Sequence, residues 1–153
     1  MAVTPRIDEL GEQHALTVHG EVPLSAMPDF FGRAFAAVMA AVEETGAMVE
    51  GAPFGYYPSM PTDTVVVEAG FPVREPTSLH GEVHDFVLPG GRAVVAIHVG
   101  PYETMEQTYA ELQSWMRHRQ LVPTVGMWES YLSDPSEQTD PATWETKIVW
   151  PLA

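Results

Sequence analysis

The stretch VHDFVLPGGRAVVAIHVGPYETMEQTYAELQSWM, residues 83–116, combines a strand pattern with a helix pattern. Residues 83–100 predict two strands that turn at Gly90–Gly91, because adjacent glycines favour a tight hairpin. Residues 102–121 predict an amphipathic helix, because apolar side chains recur at steps of four and three. The members of that apolar stripe are Met105, Tyr109, Leu112 and Met116. Strands followed by a helix indicate a domain of the α+β class.

The residues before this stretch show the same kinds of element. Residues 15–22 predict a strand, and residues 28–45 predict a helix that a proline opens and a glycine closes. We expect one stripe of this helix to face the core, and its members are Phe31, Phe35, Val38 and Val42. Shorter apolar runs at 54–57 and 64–73 predict two more strands.

Two further strands, predicted at 124–132 and 144–152, follow the second helix. The order strand, helix, strand, strand therefore occurs twice along the chain. Short matches support this repeat. Val18–His19 corresponds to Ile97–His98 at an offset of 79 residues, and the same offset relates Phe71 to Trp150.

We therefore predict one α+β domain over residues 1–153, made of two duplicated β-α-β-β units with pseudo-twofold symmetry. The units, about 14–76 and 83–153, would join into one antiparallel sheet that carries both helices on one face. A central ligand groove would lie between the units on the opposite face of the sheet.

The composition limits the class of protein. A chain of 153 residues with 45% hydrophobic residues can bury one core, and no apolar run is long enough to span a membrane. The N-terminus lacks the basic and apolar segments of a signal peptide. The absence of cysteine excludes disulfides and thiolate ligands, and we expect a cytoplasmic location.

The formal net charge of −14 argues against direct nucleic-acid binding, because an acidic surface repels phosphates. Residues 1–14 are also too few for a helix-turn-helix. The charge would attract cationic small molecules or basic protein patches, or it would serve solubility alone. We predict no cofactor and no metal, since His80 and His84 lie in a Gly-containing connector without a third ligand.

Several segments together point to a known family. The second half contains LPGGRAVVAIHVGPYETMEQTYAELQSWM, GMWESYLSDP and TKIVWPL, and the first half contains FFGRAFAAV, FGYYPSMPTD and VVVEAGFPV. Over residues 15–152 the chain resembles the GyrI-like small-molecule-binding domain. The resemblance rests on a Gly-Pro-Tyr turn before the second helix, a Glu-x-Tyr strand and a final strand ending in Pro-Leu.

The resemblance carries expectations about fold and activity. The family is similar to the effector-binding domains of AraC-type and BmrR-type multidrug regulators, and its fold is a pseudo-twofold duplication. Some stand-alone members hydrolyse the cyclopropane of DNA-alkylating natural products. The family therefore implies either small-molecule binding or hydrolysis of a strained substrate.

The resemblance also implies a site on the strand that contains WESY. An acidic residue on that strand lies in the ligand cleft of the family, which assigns this place to Glu129. Tyr131 lies two residues further on and therefore on the same face of the strand. We expect Glu129 and Tyr131 to be the catalytic candidates, if there is catalysis. The sequence departs from the family at Lys147, where many relatives have glutamate.

Further candidates for ligand contact are aromatic residues and methionines. By side-chain alternation one tyrosine of the adjacent pair would face the groove, and Tyr57 is favoured over Tyr56. Phe71 and Trp150 occupy matching places in the two units, so both would line the groove or both would seal the core. The candidates for ligand contact are Tyr56, Tyr57, Met60, Phe71, Met127, Glu129, Tyr131 and Trp150.

Three functions fit these features. The first is a binding module for hydrophobic, planar and often cationic small molecules, with aromatic walls and the Glu129 carboxylate. The second is a hydrolase in the same groove, with Glu129 as acid or base and a tyrosine hydroxyl polarising a carbonyl. The third is an acidic domain that covers a basic protein surface, as a gyrase inhibitor would.

Overall fold

The structure is a computed structural model, and it describes residues 4–60, 62–75, 81–134 and 137–153. Within these residues the chain forms eight strands and two α-helices. In chain order they are β1 (Arg6–Leu10), β2 (Gln13–Pro23), α1 (Met27–Thr45), β3 (Phe54–Tyr57), β4 (Thr64–Pro72), β5 (Val83–Leu88), β6 (Gly91–Val99), α2 (Met105–His118), β7 (Met127–Tyr131) and β8 (Glu145–Pro151). No helix in the described residues is long and apolar enough to cross a membrane.

All eight strands join one antiparallel sheet in the order β1-β6-β8-β7-β3-β4-β2-β5. The predicted α+β class with an antiparallel sheet is therefore confirmed. Exchanging β1–β4 with β5–β8 gives the same strand order, read from the other edge of the sheet. The duplication itself remains a prediction. The centre of the sheet is the pairing of β3 with β7, where Gly55 lies opposite Glu129.

Both helices pack on the same face of the sheet, but on different strands. The buried residues of α1 pack against β2 and β4, where they contact Leu16 and Val67. The buried residues of α2 pack against β6 and β8, where they contact Ala96 and Ile148. The central pair β3–β7 lies between these two contacts, so neither helix covers it.

The apolar stripe predicted for α1 is rotated from the one that the structure buries. The fully buried residues are Phe30, Ala34, Val38 and Ala41. Of the predicted stripe only Val38 is fully buried, while Phe31, Phe35 and Val42 are half-buried. The apolar face of α1 is wide enough to cover the sheet with one side and to border an open space with the other.

The predicted groove on the face opposite the helices is wrong. That face holds a second core of buried side chains, among them Phe54, Trp128 and Val149. The sheet also curls around this core, since only residues 89 and 90 join β5 at one edge of the sheet to β6 beside the other edge. Large side chains fill the space in which the groove was expected.

Candidate ligand-binding site

A cavity of about 900 Å³ opens between the two helices, above the central strands β3 and β7. Its position follows from the packing, because each helix covers only the outer strands of its own side. The lining residues are Met27, Pro28, Phe31, Phe35, Ala52, Pro53, Tyr57, Phe71, Tyr102, Met105, Glu129, Tyr131, Leu132, Ser133 and Asp134. The lining is mainly apolar and aromatic with a few polar groups, as is typical of small-molecule sites.

Glu129 lies at the base of this cavity and accepts hydrogen bonds at both carboxylate oxygens. The Tyr109 hydroxyl donates to Oε2, and the Tyr131 hydroxyl donates to Oε1 at 2.9 Å. Burial raises the pKa of Glu129, while the bonds from Tyr109 and Tyr131 and the charge of His98 act in the opposite direction. The two phenol hydroxyls thus replace part of the hydration that the carboxyl group loses on burial.

A third tyrosine extends this hydrogen-bonded chain. The hydroxyl oxygens of Tyr57 and Tyr131 are 3.0 Å apart. Burial raises the pKa of Tyr57, and the negative charge of Glu129 adds to that effect. The pKa of Tyr131 is raised well above its usual value by the same two causes. The phenols therefore remain protonated and serve as hydrogen-bond donors.

Phenylalanines from α1 and β4 form one wall of the cavity. The Phe31 ring meets the Tyr131 ring edge-on, with centroids 5.6 Å apart and an interplanar angle of 76°. Phe35 meets Phe71 in a similar way at 5.6 Å and 65°. Such edge-to-face contacts hold the rings in defined orientations, so the wall is ordered before a ligand enters.

The mouth of the cavity lies beside the turn that precedes α2. Tyr102 is 42% exposed there and packs against Trp144, with ring centroids 5.1 Å apart. Its other side meets the edge of Tyr131 at 6.2 Å. Burial and the charges of Glu129 and Asp134 raise the pKa of Tyr102. A ligand that reaches Glu129 would pass this aromatic rim.

Four of the predicted residues meet at the cavity. Glu129 and Tyr131 share the cavity face of β7, as alternation along a strand requires. Tyr57 faces the same space from β3, and Phe71 does so from the end of β4. Their role in ligand contact remains a prediction.

The other four predicted residues lie outside the cavity. Tyr56 points to the opposite face, where it packs against Trp128 and Phe86 at centroid distances of 6.2 and 5.4 Å. Met60 is 65% exposed in the loop after β3. Two residues belong to the core under α2, and these are Met127 and Trp150. The expected equivalence of Phe71 and Trp150 thus does not hold for the cavity.

Several lining residues were not predicted as such. Phe31 and Phe35 were assigned to the core stripe of α1. Tyr109, which bonds to Glu129 without lining the cavity, was assigned to the core stripe of α2. A phenol within a stripe of methionine and leucine is a signal in the sequence, because its hydroxyl needs a partner when it is buried. Tyr102 stands in the Gly-Pro-Tyr turn, but nothing in the pattern shows that this turn borders a cavity.

Two histidine clusters lie away from the cavity. Glu68 accepts from Thr17 and bonds to ring nitrogens of His19 and His84 at 2.5 and 2.8 Å. Among the described residues no group of three or more acidic or histidine side chains is arranged to hold a metal ion. His80, the other member of the predicted pair, lies outside the described residues.

His98 is buried under α2 and saturated by local bonds. Its Nδ1 lies 2.6 Å from the Thr108 hydroxyl, and its Nε2 lies 3.1 Å from the Pro101 carbonyl oxygen. A carbonyl only accepts, so Nε2 carries a proton. These bonds make His98 a buried structural residue of β6.

The curved antiparallel sheet, the paired helices and the aromatic cavity with a buried carboxylate define a small-molecule-binding domain of the α+β class. A family model for the GyrI-like small molecule binding domain matches residues 4–153. The chain therefore belongs to the GyrI-like family. A search of curated proteins gives no match by sequence.

Solved structures share this fold. The EcmrR C-terminal domain is 22% identical, with a TM-score of 0.86 over 100% of this chain and 99% of that one. SAV2435 bound to tetraphenylphosphonium is 10% identical, with a TM-score of 0.69 over 98% of this chain and 94% of that one. A protein of Listeria innocua described as a hydrolase is 17% identical, with a TM-score of 0.63 over 97% and 91%. At these identities the comparisons show the fold alone.

Proposed function

We propose that the chain binds hydrophobic organic cations in the cavity between α1 and α2, with Glu129 as the source of charge complementarity. The observation that carries this proposal is the position of Glu129, a carboxylate at the base of an apolar and aromatic cavity. A buried carboxylate without a counter-charge is unfavourable. A bound cation would supply that charge.

The walls suit a flat or globular aromatic ligand. Phe31, Phe35 and Phe71 present apolar surface, and Tyr57 and Tyr131 present phenol rings. Aromatic faces attract cations in addition to the burial of apolar area. Tetraphenylphosphonium, the compound bound to SAV2435, is a hydrophobic organic cation and supports the same class of ligand here.

The direct test is a fluorescence titration of a rhodamine cation against wild type and Glu129→Gln. We expect micromolar binding to wild type, about −8 kcal/mol. The substitution keeps the size of the side chain but removes its charge, so affinity should fall roughly thirtyfold, about 2 kcal/mol. A neutral analogue of the dye should bind wild type and the variant with similar affinity.

Glu43→Gln provides the matched control, because it removes an equal charge from an exposed position near the end of α1. It should bind the rhodamine cation like wild type. Equal losses in the two variants would show that the general acidity of the chain, and not the cavity, attracts the dye.

Hydrolysis is a second candidate, favoured by the raised pKa of Glu129 and by structural neighbours described as hydrolases. A raised pKa makes a carboxylate a stronger general base and keeps its acid form available at a higher pH than usual. Against it, the hydroxyl proton of Tyr131 is committed to Glu129 and is not free to polarise a carbonyl. A cyclopropane conjugated to a carbonyl would be the substrate to test, and turnover by wild type but not by Glu129→Gln would establish catalysis.

A further inference from the structure

The protons of the cavity tyrosines have one consistent arrangement when Glu129 is ionised. A carboxylate only accepts, so Tyr109 and Tyr131 both donate to it. Each phenol has one proton, and that of Tyr131 is used. In the contact between Tyr57 and Tyr131, Tyr57 must therefore be the donor. All three protons point towards Glu129.

This arrangement leaves Tyr57 with unused acceptor capacity. Its oxygen donates to Tyr131 and accepts from no donor within the described residues. The ring lines the cavity, whereas the oxygens of Glu129 are each engaged by a phenol. Hydrogen bonds in a chain polarise one another, so a phenol that donates towards a carboxylate becomes a stronger acceptor. Glu129 therefore supplies the negative charge, whereas Tyr57 supplies the free hydrogen-bond acceptor.

We propose that Tyr57 is a specificity-determining residue, whose hydroxyl oxygen accepts an N–H of the ligand and so selects protonated amines and ring N–H cations over quaternary cations of the same size. This deepens the proposed function and rests on it. Glu129 would attract any hydrophobic cation, whereas Tyr57 would discriminate by hydrogen bonding. The same arrangement disfavours ligands that present only acceptors to this oxygen.

The arrangement requires an ionised Glu129, so the groups that face it matter. Tyr109 approaches from α2, Tyr131 from the same strand and Tyr57 acts through Tyr131. His98 on β6, whose ring nitrogens bond to Thr108 and Pro101, contacts no oxygen of Glu129 in the described residues, but its charge lowers the pKa of that carboxyl group. The measurement is therefore made at pH 8, and a second measurement at pH 9 checks that the affinity no longer rises with pH, as an ionised Glu129 requires.

Acridine orange and its N10-methyl derivative form a suitable pair of ligands. At pH 8 both are planar cations with the same dimethylamino groups, and they differ in the ring N–H that methylation removes. Wild type should bind acridine orange about tenfold more tightly, since a hydrogen bond to a charged donor contributes at least that factor. In Tyr57→Phe the two dyes should bind with similar affinity.

Two controls separate recognition from damage to the cavity. The affinity of Tyr57→Phe for the N10-methyl dye should fall less than its affinity for acridine orange, because the N10-methyl dye makes no such hydrogen bond. Tyr56→Phe removes the neighbouring hydroxyl on the opposite face of the sheet and should keep the wild-type preference.

Equal binding of the two dyes by wild type would overturn the proposal, as would an unchanged preference in Tyr57→Phe. Both outcomes would leave the proposed function standing. If neither dye binds to wild type, the proposed function fails and this inference fails with it.

Discussion

At the scale of single residues, Glu129 shows how this fold combines a charge with an apolar cavity. Desolvation alone would favour the neutral acid, and the phenols of Tyr109 and Tyr131 counter that tendency. The pKa of this carboxyl group is therefore set by opposing effects, and a change in either one would alter its charge state. A ligand cation would favour the ionised form further, so binding and proton release are coupled.

The affinity for a cation should therefore depend on pH. A cation binds the ionised carboxylate more tightly, so affinity should fall as pH decreases through the pKa of Glu129. Tyr109→Phe removes a hydrogen bond that lowers this pKa. The pH midpoint of rhodamine binding should consequently move upward, by on the order of one unit.

Fluorescence titrations between pH 4.5 and 9 measure this midpoint in both proteins. Glu129→Gln serves as the control, since its affinity should be nearly independent of pH in this range. A midpoint that stays in place in Tyr109→Phe would mean that another group controls the pH dependence.

At the scale of elements, the strand pairing sets the distance between residues that the ligand would meet. Gly70 on β4 shows how close two strands approach, because a Cβ there would lie 1.8 Å from the carbonyl oxygen of Leu16 on β2. Only glycine fits such a position without displacing the neighbouring strand. Helix α1 packs on the β2–β4 pair, and its residues Phe31 and Phe35 form part of one wall of the cavity.

Gly70→Ala should therefore destabilise the protein by about 3 kcal/mol or more, since the backbone of β2 cannot move aside without breaking its pairing. Gly11 lies between β1 and β2, and a Cβ added there would have nothing within 4 Å. Gly11→Ala should therefore change the free energy of unfolding by less than about 0.5 kcal/mol. Urea denaturation followed by circular dichroism compares the two. Equal stabilities would show that the sheet adapts more easily than its geometry implies.

Much of the element plan could be predicted from the sequence, because alternation and helical periodicity are local properties. β1 was missed, since Arg6–Leu10 is polar and mostly exposed and pairs with β6 far along the chain. Local signals also cannot show which side of a sheet remains open. Phe31 and Phe54 look alike in sequence, but one borders the cavity and the other fills the opposite core.

At the scale of the whole molecule, the site arises where neither helix covers the sheet. α1 and α2 each pack on outer strands, and the uncovered centre receives Glu129 and Tyr57 from neighbouring strands. Tyr109 reaches the same carboxylate from α2. The cavity is therefore a product of the complete fold, and either half alone would lack part of its lining.

The overall charge of −14 adds a long-range field that favours the approach of cations. Such a field is screened within about 10 Å at 0.1 M salt, so it cannot replace a buried partner for the bound ligand. Selectivity must then come from the cavity itself. This distinguishes the proposed binding site from a domain that covers basic protein surfaces through charge alone.

A hydrophobic cation should bind between α1 and α2 above Glu129, and a crystal structure with tetraphenylarsonium would show where it binds. The anomalous signal of arsenic locates the cation independently of the fitted protein. We expect a principal arsenic peak inside the cavity, bordered by Phe31, Phe71 and Tyr131, with the Glu129 carboxylate beneath it. A principal peak on the outer surface, or on the sheet face that holds Trp128, would show that the cation binds elsewhere and that Glu129 is not its partner.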